Sequence, residues 1–235
     1  MPTKRLMPSF MITFAELEQL GDSANSRIEE DSAIMETYGI DNDFKTELAD
    51  KTQALKDFPT DEEMEGDVMD HTENKNKLAD IVKVSIRSIM VRVKQVFRED
   101  SGEYVRFGTK NLGLMKDLEL VKCGFRVVRR ATEYLSQIEA KGLTQAMIDE
   151  LESYVTQFDQ AIDDQQDAAM MRSCVTINRL ILANSLYAMI TELYDCGKDY
   201  WASRNAAKYK GYVIYDLPPA KKKSAKPAKK IPGQG

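Results

Sequence analysis

Apolar residues recur at steps of three and four along most of this chain, which is the spacing of one face of an α-helix. The clearest stripe consists of Leu114, Leu118, Val121, Phe125, Val128, Thr132, Leu135 and Ile138. It predicts a long helix over about residues 110–141, ended by Gly142 at the position where glycine commonly stops a helix. Near-heptad spacing of this kind is typical of long helices packed at shallow angles.

Helical patterning continues beyond this point. Thr144 is placed to cap the next helix, with Leu143 and Ile148 as a hydrophobic staple. The polar segment 163–167 leaves two alternatives, because the helix either bends there or runs on without a break. From Ala168 to Asn205 apolar residues lie on most sides of the predicted helix, which is typical of a helix in the centre of a bundle.

The N-terminal part of the chain predicts weaker helices. Thr13 and Glu16 form a capping box that starts a helix reaching to about Tyr38. A second, short helix is predicted over about residues 43–58, and Pro59 ends it.

The stretch after Pro59 is ambiguous in two places. Thr60 and Glu63 form a second capping box, but residues 61–77 are so polar that both a solvated helix and a partly ordered connector fit them. Residues 82–86 alternate between apolar and polar, as in a strand. A helix is favoured there because the apolar run 89–91 breaks the alternation while the helical stripe continues.

These patterns together predict an all-α fold, namely an up-down antiparallel helical bundle of about four long helices with two weaker N-terminal helices. The absence of proline between Thr60 and Leu217 supports long helices. The predicted organisation is a flexible arm (1–12), an N-terminal helical hairpin with a polar connector (13–74), the main helical bundle (75–209), an extended strap (210–219) and a disordered lysine-rich tail (220–235).

Charge is distributed unevenly along the chain. The net charge of −5 combines a tail of six lysines and no acid with a remainder, residues 1–219, that carries 27 basic and 38 acidic side chains. Because the acidic remainder repels polyanions at long range, nucleic acid is expected to contact the tail only. The candidate polyanion-binding residues are Lys221, Lys222, Lys223, Lys226, Lys229 and Lys230. A solubilising extension, or a tail that docks on the acidic body of a neighbouring copy, fits the same composition.

The residue types required by common catalytic and metal sites are scarce. The single histidine, His71, excludes a ferritin-like di-metal centre, which needs Glu-x-x-His pairs on two helices. The cysteines, Cys123, Cys174 and Cys196, form no Cys-x-x-Cys pair and are expected to be buried, reduced thiols in a cytoplasmic protein. No phosphate loop, nucleophile elbow or triad is recognisable. The expectation is a protein without catalytic residues, cofactor or metal, and without a membrane span or signal peptide.

Two groups of basic residues are predicted on helix surfaces. They are Lys83, Arg87, Lys94 and Arg98 on one helical face, and Arg126, Arg129 and Arg130 on the following helix. The favoured prediction is that they pair with Asp159, Asp163, Asp164 and Asp167 of the bundle, or with a partner subunit. Contact with phosphate is the alternative.

Aromatic residues concentrate towards the C-terminal end of the helical region. They are Tyr194, Tyr200, Trp201, Tyr209, Tyr212 and Tyr215. Tyrosine and tryptophan are enriched at protein interfaces, so this set is a candidate interface; the alternative is that the rings hold the strap against the bundle.

The function expected from these features is non-enzymatic. Long helical stripes without a catalytic constellation favour a cytoplasmic helical-bundle protein that acts through protein–protein association, as a homo-oligomer or as a component of a larger structural complex. The alternative is an accessory DNA- or RNA-binding protein that uses the lysine-rich tail.

Overall fold

The computed structural model describes residues 6–215, and over this range the chain is helical with no β-strand. The all-α prediction is therefore confirmed. The six tail lysines and residues 216–219 of the predicted strap lie outside the described residues. The described part of that strap is not extended as predicted, because the side chain of Asn205 caps a further helix that reaches Gly211, and a turn follows.

Nine α-helices lie within the described residues. They are α1 (Phe14–Glu30), α2 (Ser32–Met35), α3 (Asn42–Lys56), α4 (Asp61–Lys94), α5 (Gly102–Val105), α6 (Asp117–Glu133), α7 (Leu135–Ile138), α8 (Gln145–Trp201) and α9 (Ala206–Gly211). Short 3₁₀ segments cover Glu36–Tyr38, Leu112–Leu114 and Glu139–Lys141.

The helix ends follow the capping chemistry predicted from the sequence. The hydroxyls of Thr13 and Thr60 each accept a hydrogen bond of 3.2 Å from the backbone N–H of Glu16 and Glu63, respectively. The two glutamate carboxylates accept the threonine N–H groups in return, at 2.7 Å, which completes both capping boxes. Gly142 ends the preceding 3₁₀ turn in the left-handed conformation, with φ at +82°, as a glycine at this position commonly does.

Helix α4 resolves both ambiguities of the sequence pattern. The polar stretch 61–77 and the alternating stretch 82–86 belong to one continuous helix of 34 residues. The favoured choice of helix over strand at 82–86 is thus confirmed. The predicted boundary between residues 74 and 75 falls inside this helix.

The described residues form two compact units, each with a core of its own. The first unit combines the residues up to Phe58 with those from Arg179 onward, and the second unit spans Pro59–Asn178. The first core includes Leu17, Ile28, Leu48, Leu186, Ile190 and Leu193. The second core includes Val82, Ile86, Ile89, Val127, Leu151, Val155 and Phe158. Residues 75–209, predicted to form the main bundle, contribute to both cores.

The helix predicted over residues 110–141 is interrupted at both ends. Its middle part is α6, which begins at Asp117, and Leu114 lies before it with 84% of its surface exposed. At the other end the backbone leaves helical geometry at Tyr134, with φ −102° and ψ 9°. The Tyr134 ring packs edge-on against Phe97, with ring centroids 5.3 Å apart, and this contact holds the irregular residue in place.

The buried face of α6 also differs from the predicted one. Leu118 and Phe125 of the predicted stripe are exposed, and the buried residues are Leu120, Val121, Cys123, Gly124, Val127, Val128 and Ala131. A Cβ on Gly124 would lie only 2.4 Å from Cγ2 of Val155 on α8. The close approach of the two helices therefore requires glycine at this point of α6, and the small residue turns inward.

Helix α8 is continuous over 57 residues. Of the two alternatives for residues 163–167, a bend or an unbroken helix, the structure shows the unbroken helix. No residue from Asp163 to Leu182 is buried, and buried residues return at Ala183. The prediction of a central helix over 168–205 is therefore wrong for its first part. Met170, Met171, Ile177 and Ile181 are exposed there, whereas Val175, Leu180 and Leu182 are half-buried.

Candidate functional site

The exposed stretch of α8 carries a row of apolar side chains on one face. Met170, Ile177 and Ile181 are 62%, 51% and 53% exposed, and Cys174 is exposed as well. Their successive spacings are four, three and four residues, so they line one side of the helix. We name this set of four residues the α8 stripe. An apolar row of this kind on a water-facing helix is a candidate contact surface.

The α8 stripe is electrically neutral. Between Ala168 and Thr191 the only charged residues are Arg172 and Arg179. Nη2 of Arg172 donates to Oε2 of Glu65 at 3.1 Å, and the guanidinium of Arg179 lies 4.5 Å from the centroid of the Phe14 ring. Both cations thus have contacts outside the stripe. Removal of an uncharged apolar surface from water carries only a small desolvation penalty.

By length and composition α8 also qualifies as a candidate membrane span, whereas the sequence was expected to contain none. Only 22% of its most apolar window is buried, but core helices of soluble proteins meet the same test. Two arginines lie in this part of the helix, and charged side chains are costly at the centre of a bilayer. Ala183, Leu186 and Ile190 are fully buried in the first unit, so lipid has no access to them.

The predicted aromatic interface divides between the interior and the surface. Tyr194 and Tyr212 are each 1% exposed, and their rings meet edge-on with centroids 5.5 Å apart. Trp201 packs against the same core and donates from Nε1 to Oδ2 of Asp31 at 2.9 Å. Tyr209 is partly exposed. The buried members hold the C-terminal segment onto the first unit, which is the alternative that the sequence left open.

Asp31 is the centre of this arrangement. The Asp31 carboxylate is buried and accepts hydrogen bonds from Trp201, from the Tyr212 hydroxyl at 2.8 Å and from Nζ of Lys208 at 2.7 Å. Burial by itself raises the pKa of Asp31, but the hydrogen bonds from Lys208, Trp201 and Tyr212 outweigh it and leave this pKa below its ordinary value. Burial and the hydrogen bond to Asp31 together raise the pKa of Tyr212. We name Asp31 and its three donors the Asp31 clasp.

Sequence reasoning missed Asp31, although the sequence contains a signal for it. Ala24, Ile28, Asp31 and Met35 follow one another at steps of four, three and four, so the aspartate occupies a core position of an apolar stripe. Two aromatic donors and a lysine lie far along the chain, at 201, 212 and 208. Only the fold shows that they converge on this carboxylate, which makes the clasp a structural element that fixes α9.

The two remaining aromatic residues lie at the surface of the first unit. The Tyr200 and Trp201 rings meet edge-on with centroids 4.8 Å apart. The guanidinium of Arg204 lies 4.2 Å from the centroid of the Tyr200 ring. Tyr215 is 52% exposed, and its hydroxyl is hydrogen-bonded to that of Tyr187. Burial, followed by this hydrogen bond, raises the pKa of Tyr187 to about 12.

Four of the seven basic residues predicted on helix surfaces pair with acids close to them in sequence. Lys83 pairs with Asp80, Lys94 with Glu99, Arg98 with Asp100 and Arg130 with Glu133. The favoured prediction of pairing with Asp159, Asp163, Asp164 and Asp167 is therefore wrong, because neighbouring acids reach these cations with less ordering of long side chains. Arg126 makes no ion pair within residues 6–215 and lies at a cleft described below.

The residues named for possible metal or redox chemistry lie apart from one another. Cys123 is buried as predicted, and burial raises the pKa of its thiol. The prediction of buried cysteines is wrong for Cys174, which is exposed on the α8 stripe, and Cys196 is only partly buried. His71 lines a shallow depression with Asp67 and Asp164 in the second unit. Across the described range 6–215, no group of three or more histidine, cysteine, aspartate or glutamate side chains is arranged to hold a metal ion.

Comparison of this chain with models of protein families, with characterised proteins and with solved structures finds no match. The structural class of the protein is therefore given by its own fold, which is all-α with two cores and one long helix that contributes to both.

Proposed function

We propose that this chain is a non-enzymatic helical protein whose copies associate with one another through the α8 stripe. The observation that supports this proposal is the exposure of Met170, Ile177 and Ile181, each more than half accessible to water on a stretch of helix where nothing is buried. Apolar side chains in such a row gain free energy when a second surface removes them from water.

The charge of the chain supports a second copy as the occupant. Residues 1–219 carry eleven more acidic than basic side chains, so two copies repel each other over much of their surface. The α8 stripe is the neutral exception, and two copies can meet there without a like-charge penalty. A strongly basic partner would instead be attracted to the acidic surface elsewhere.

The spacing of the α8 stripe supports the same occupant. The steps of four, three and four read identically in both directions along the helix. In an antiparallel pair, Met170 of one copy faces Ile181 of the other, and Cys174 faces Ile177. Such a contact is self-complementary, as a two-fold symmetric interface requires, and its spacing matches that of helices packed knobs into holes.

Sedimentation velocity over a range of concentrations tests this proposal with a matched pair of variants. Met170→Glu places a charge on the first residue of the stripe, whereas Met69→Glu makes the same change on α4 at nearly equal exposure, 62% against 64%. We expect the wild type and Met69→Glu to dimerise alike. Met170→Glu should weaken the dimer by about thirtyfold or more, because the interface would bury a carboxylate that has no partner there.

Two outcomes would contradict the proposal. One is a wild-type monomer at every concentration tested. The other is equal weakening by Met170→Glu and Met69→Glu, because general acidity would then explain the effect. Flotation with lipid vesicles is measured in parallel. If the protein is monomeric and floats with the vesicles only when the stripe is intact, the occupant of the stripe is a membrane and not a second copy.

A second candidate function rests on the tail, which lies outside the described residues. Residues 220–235 carry six lysines and no acid, a composition that binds polyanions weakly and with strong salt dependence. Deletion of residues 220–235 should then abolish binding to duplex DNA or RNA and the dependence of that binding on salt. Unchanged binding by the truncated chain would eliminate this candidate.

A further inference from the structure

A cleft in the second unit gathers three cations. It has a volume of about 440 Å³ and lies between the turn before α6 and the first half of that helix. Lys110, Lys122 and Arg126 line it together with Asn111. None of the three cations makes an ion pair within the described part of the chain, which leaves their positive charge available to a ligand.

The local charge is opposite to that of the chain as a whole. Residues 106–130 contain seven basic and two acidic side chains, although residues 1–219 are acidic overall. The acidic residue that lines the cleft, Glu119, is already engaged, because its carboxylate accepts the backbone N–H of Lys116 at 3.1 Å. The other acid of this segment, Asp117, pairs with Lys75 at 2.6 Å. Positive charge therefore dominates at the cleft.

The backbone around the cleft is shaped to hold Arg126 in place. Nη1 of Arg126 lies 2.1 Å from the point that a Cβ on Gly108 would occupy, so any larger residue at 108 would displace the guanidinium. Gly108 has φ at +64°, a conformation that glycine adopts without strain. Asn111 is the only non-glycine residue in the described range 6–215 with positive φ, at 61°, and such backbone strain is concentrated at ligand sites.

We propose that this cleft binds a phosphate-bearing ligand. The two lysines supply point charges, and the planar guanidinium of the arginine can donate two parallel hydrogen bonds. The asparagine amide adds a neutral donor. Together these groups suit the oxygens of a phosphate. Leu114 and Met115 form an apolar wall beside the cations and contact the part of the ligand next to the phosphate. The shared chemistry is a phosphate monoester, carried by a soluble metabolite or by a lipid headgroup.

Calorimetric titration with two probes tests the proposal and separates the two sources. The soluble probe is a nucleoside monophosphate, and the lipid probe is a suspension of vesicles that contain phosphatidic acid. The variants are Lys122→Gln and Arg126→Gln. Arg87→Gln is the control, because Arg87 is an exposed cation of the same unit that does not line the cleft and makes no ion pair within residues 6–215.

We expect the wild type and Arg87→Gln to bind at least one probe with equal affinity, and each cleft variant to bind it about tenfold more weakly. Lys122 is exposed, so its replacement leaves the fold intact even if Arg126→Gln does not fold. Binding of the soluble probe alone, or of the vesicles alone, supports the site and identifies the source of the phosphate. Failure of both probes, or equal weakening by Arg87→Gln, would overturn the proposal.

Discussion

Asp31 is a charged residue at a core position of the first unit, and every feature of its surroundings compensates for its burial. Both carboxylate oxygens accept hydrogen bonds, two of them from neutral aromatic donors and one from a lysine. A buried carboxylate without such donors would lose its hydration free energy, and no hydrogen bond or ion pair would compensate for that loss. The Asp31 clasp therefore accounts for the position of α9 against the first unit.

Replacement of Asp31 by alanine should lower the free energy of unfolding by about 3 to 5 kcal/mol, because the lysine and two aromatic donors would lose their common acceptor. Urea unfolding followed by circular dichroism measures the change. Asp50→Ala removes an exposed carboxylate of the same unit and should change stability by less than about 0.5 kcal/mol. A loss in Asp31→Ala no larger than in Asp50→Ala would show that the clasp contributes nothing.

Two tyrosines predict a loss of stability at alkaline pH. The pKa of Tyr212 is raised, and that of Tyr187 is raised to about 12, from about 10 for tyrosine in an unfolded chain. The folded state thus holds these protons more tightly, and their stabilising contribution is complete below about pH 10. It is lost as the pH rises from about 10 through the folded pKa values.

Urea unfolding at pH 9 and pH 11 measures this loss. Tyr212→Phe and Tyr187→Phe should each show a smaller decrease in stability between the two pH values than the wild type, because one of the protected protons is gone. Tyr209→Phe is the control, since no hydrogen bond of the Tyr209 hydroxyl occurs within residues 6–215. Equal pH dependence in all four proteins would contradict the assignment.

At the scale of helices, α6 shows what the sequence pattern could not reveal. Val121 and Val128 of the predicted stripe are buried, but the buried face is centred on Cys123 and Gly124, and Leu118 and Phe125 of the stripe are exposed. A search for apolar stripes in the sequence selects large residues as core positions. Two helices that approach closely, however, need small residues at their contact. By contrast, the ends of α1 and α4 could be predicted, because capping boxes are local in sequence and need no tertiary contact.

Gly124 and Gly66 form a matched pair that tests this packing. Gly124→Ala should destabilise the protein by about 1 to 3 kcal/mol, because its Cβ would clash with Val155. Gly66→Ala changes a glycine of α4 with open space around it and should stabilise the protein by up to about 1 kcal/mol. Thermal unfolding of both variants measures the sign of the change in stability for each. Stabilisation by Gly124→Ala would contradict the close approach of α6 and α8.

Helix α8 shows the opposite limit of sequence reasoning. Its apolar residues between 168 and 182 look like those of a core helix, but none is buried and four of the large ones are exposed. Apolar composition favours the removal of a surface from water, but it cannot show whether the chain itself or a second molecule would cover that surface. The candidate association site was for the same reason sought among the aromatic residues, of which Tyr194, Trp201 and Tyr212 instead contribute to the core of the first unit or pack against it.

At the scale of the whole molecule, we infer a division of labour along the chain. The two cores stabilise the units, the Asp31 clasp fixes the C-terminal helix of the first unit, and the α8 stripe is a neutral, apolar surface. Association of copies through this stripe is the central claim. It makes a geometric demand, because Cys174 of the two copies must lie close together across the interface.

Chemical cross-linking through Cys174 tests this demand most directly. Cys174 is the exposed cysteine, whereas Cys123 is buried and Cys196 partly buried, so the native chain already carries the probe. A short bismaleimide should convert the wild type to a covalent dimer at concentrations where it sediments as a dimer, and Cys174→Ser should give none. The absence of a covalent wild-type dimer, or an equal yield from Cys174→Ser, would contradict association through α8.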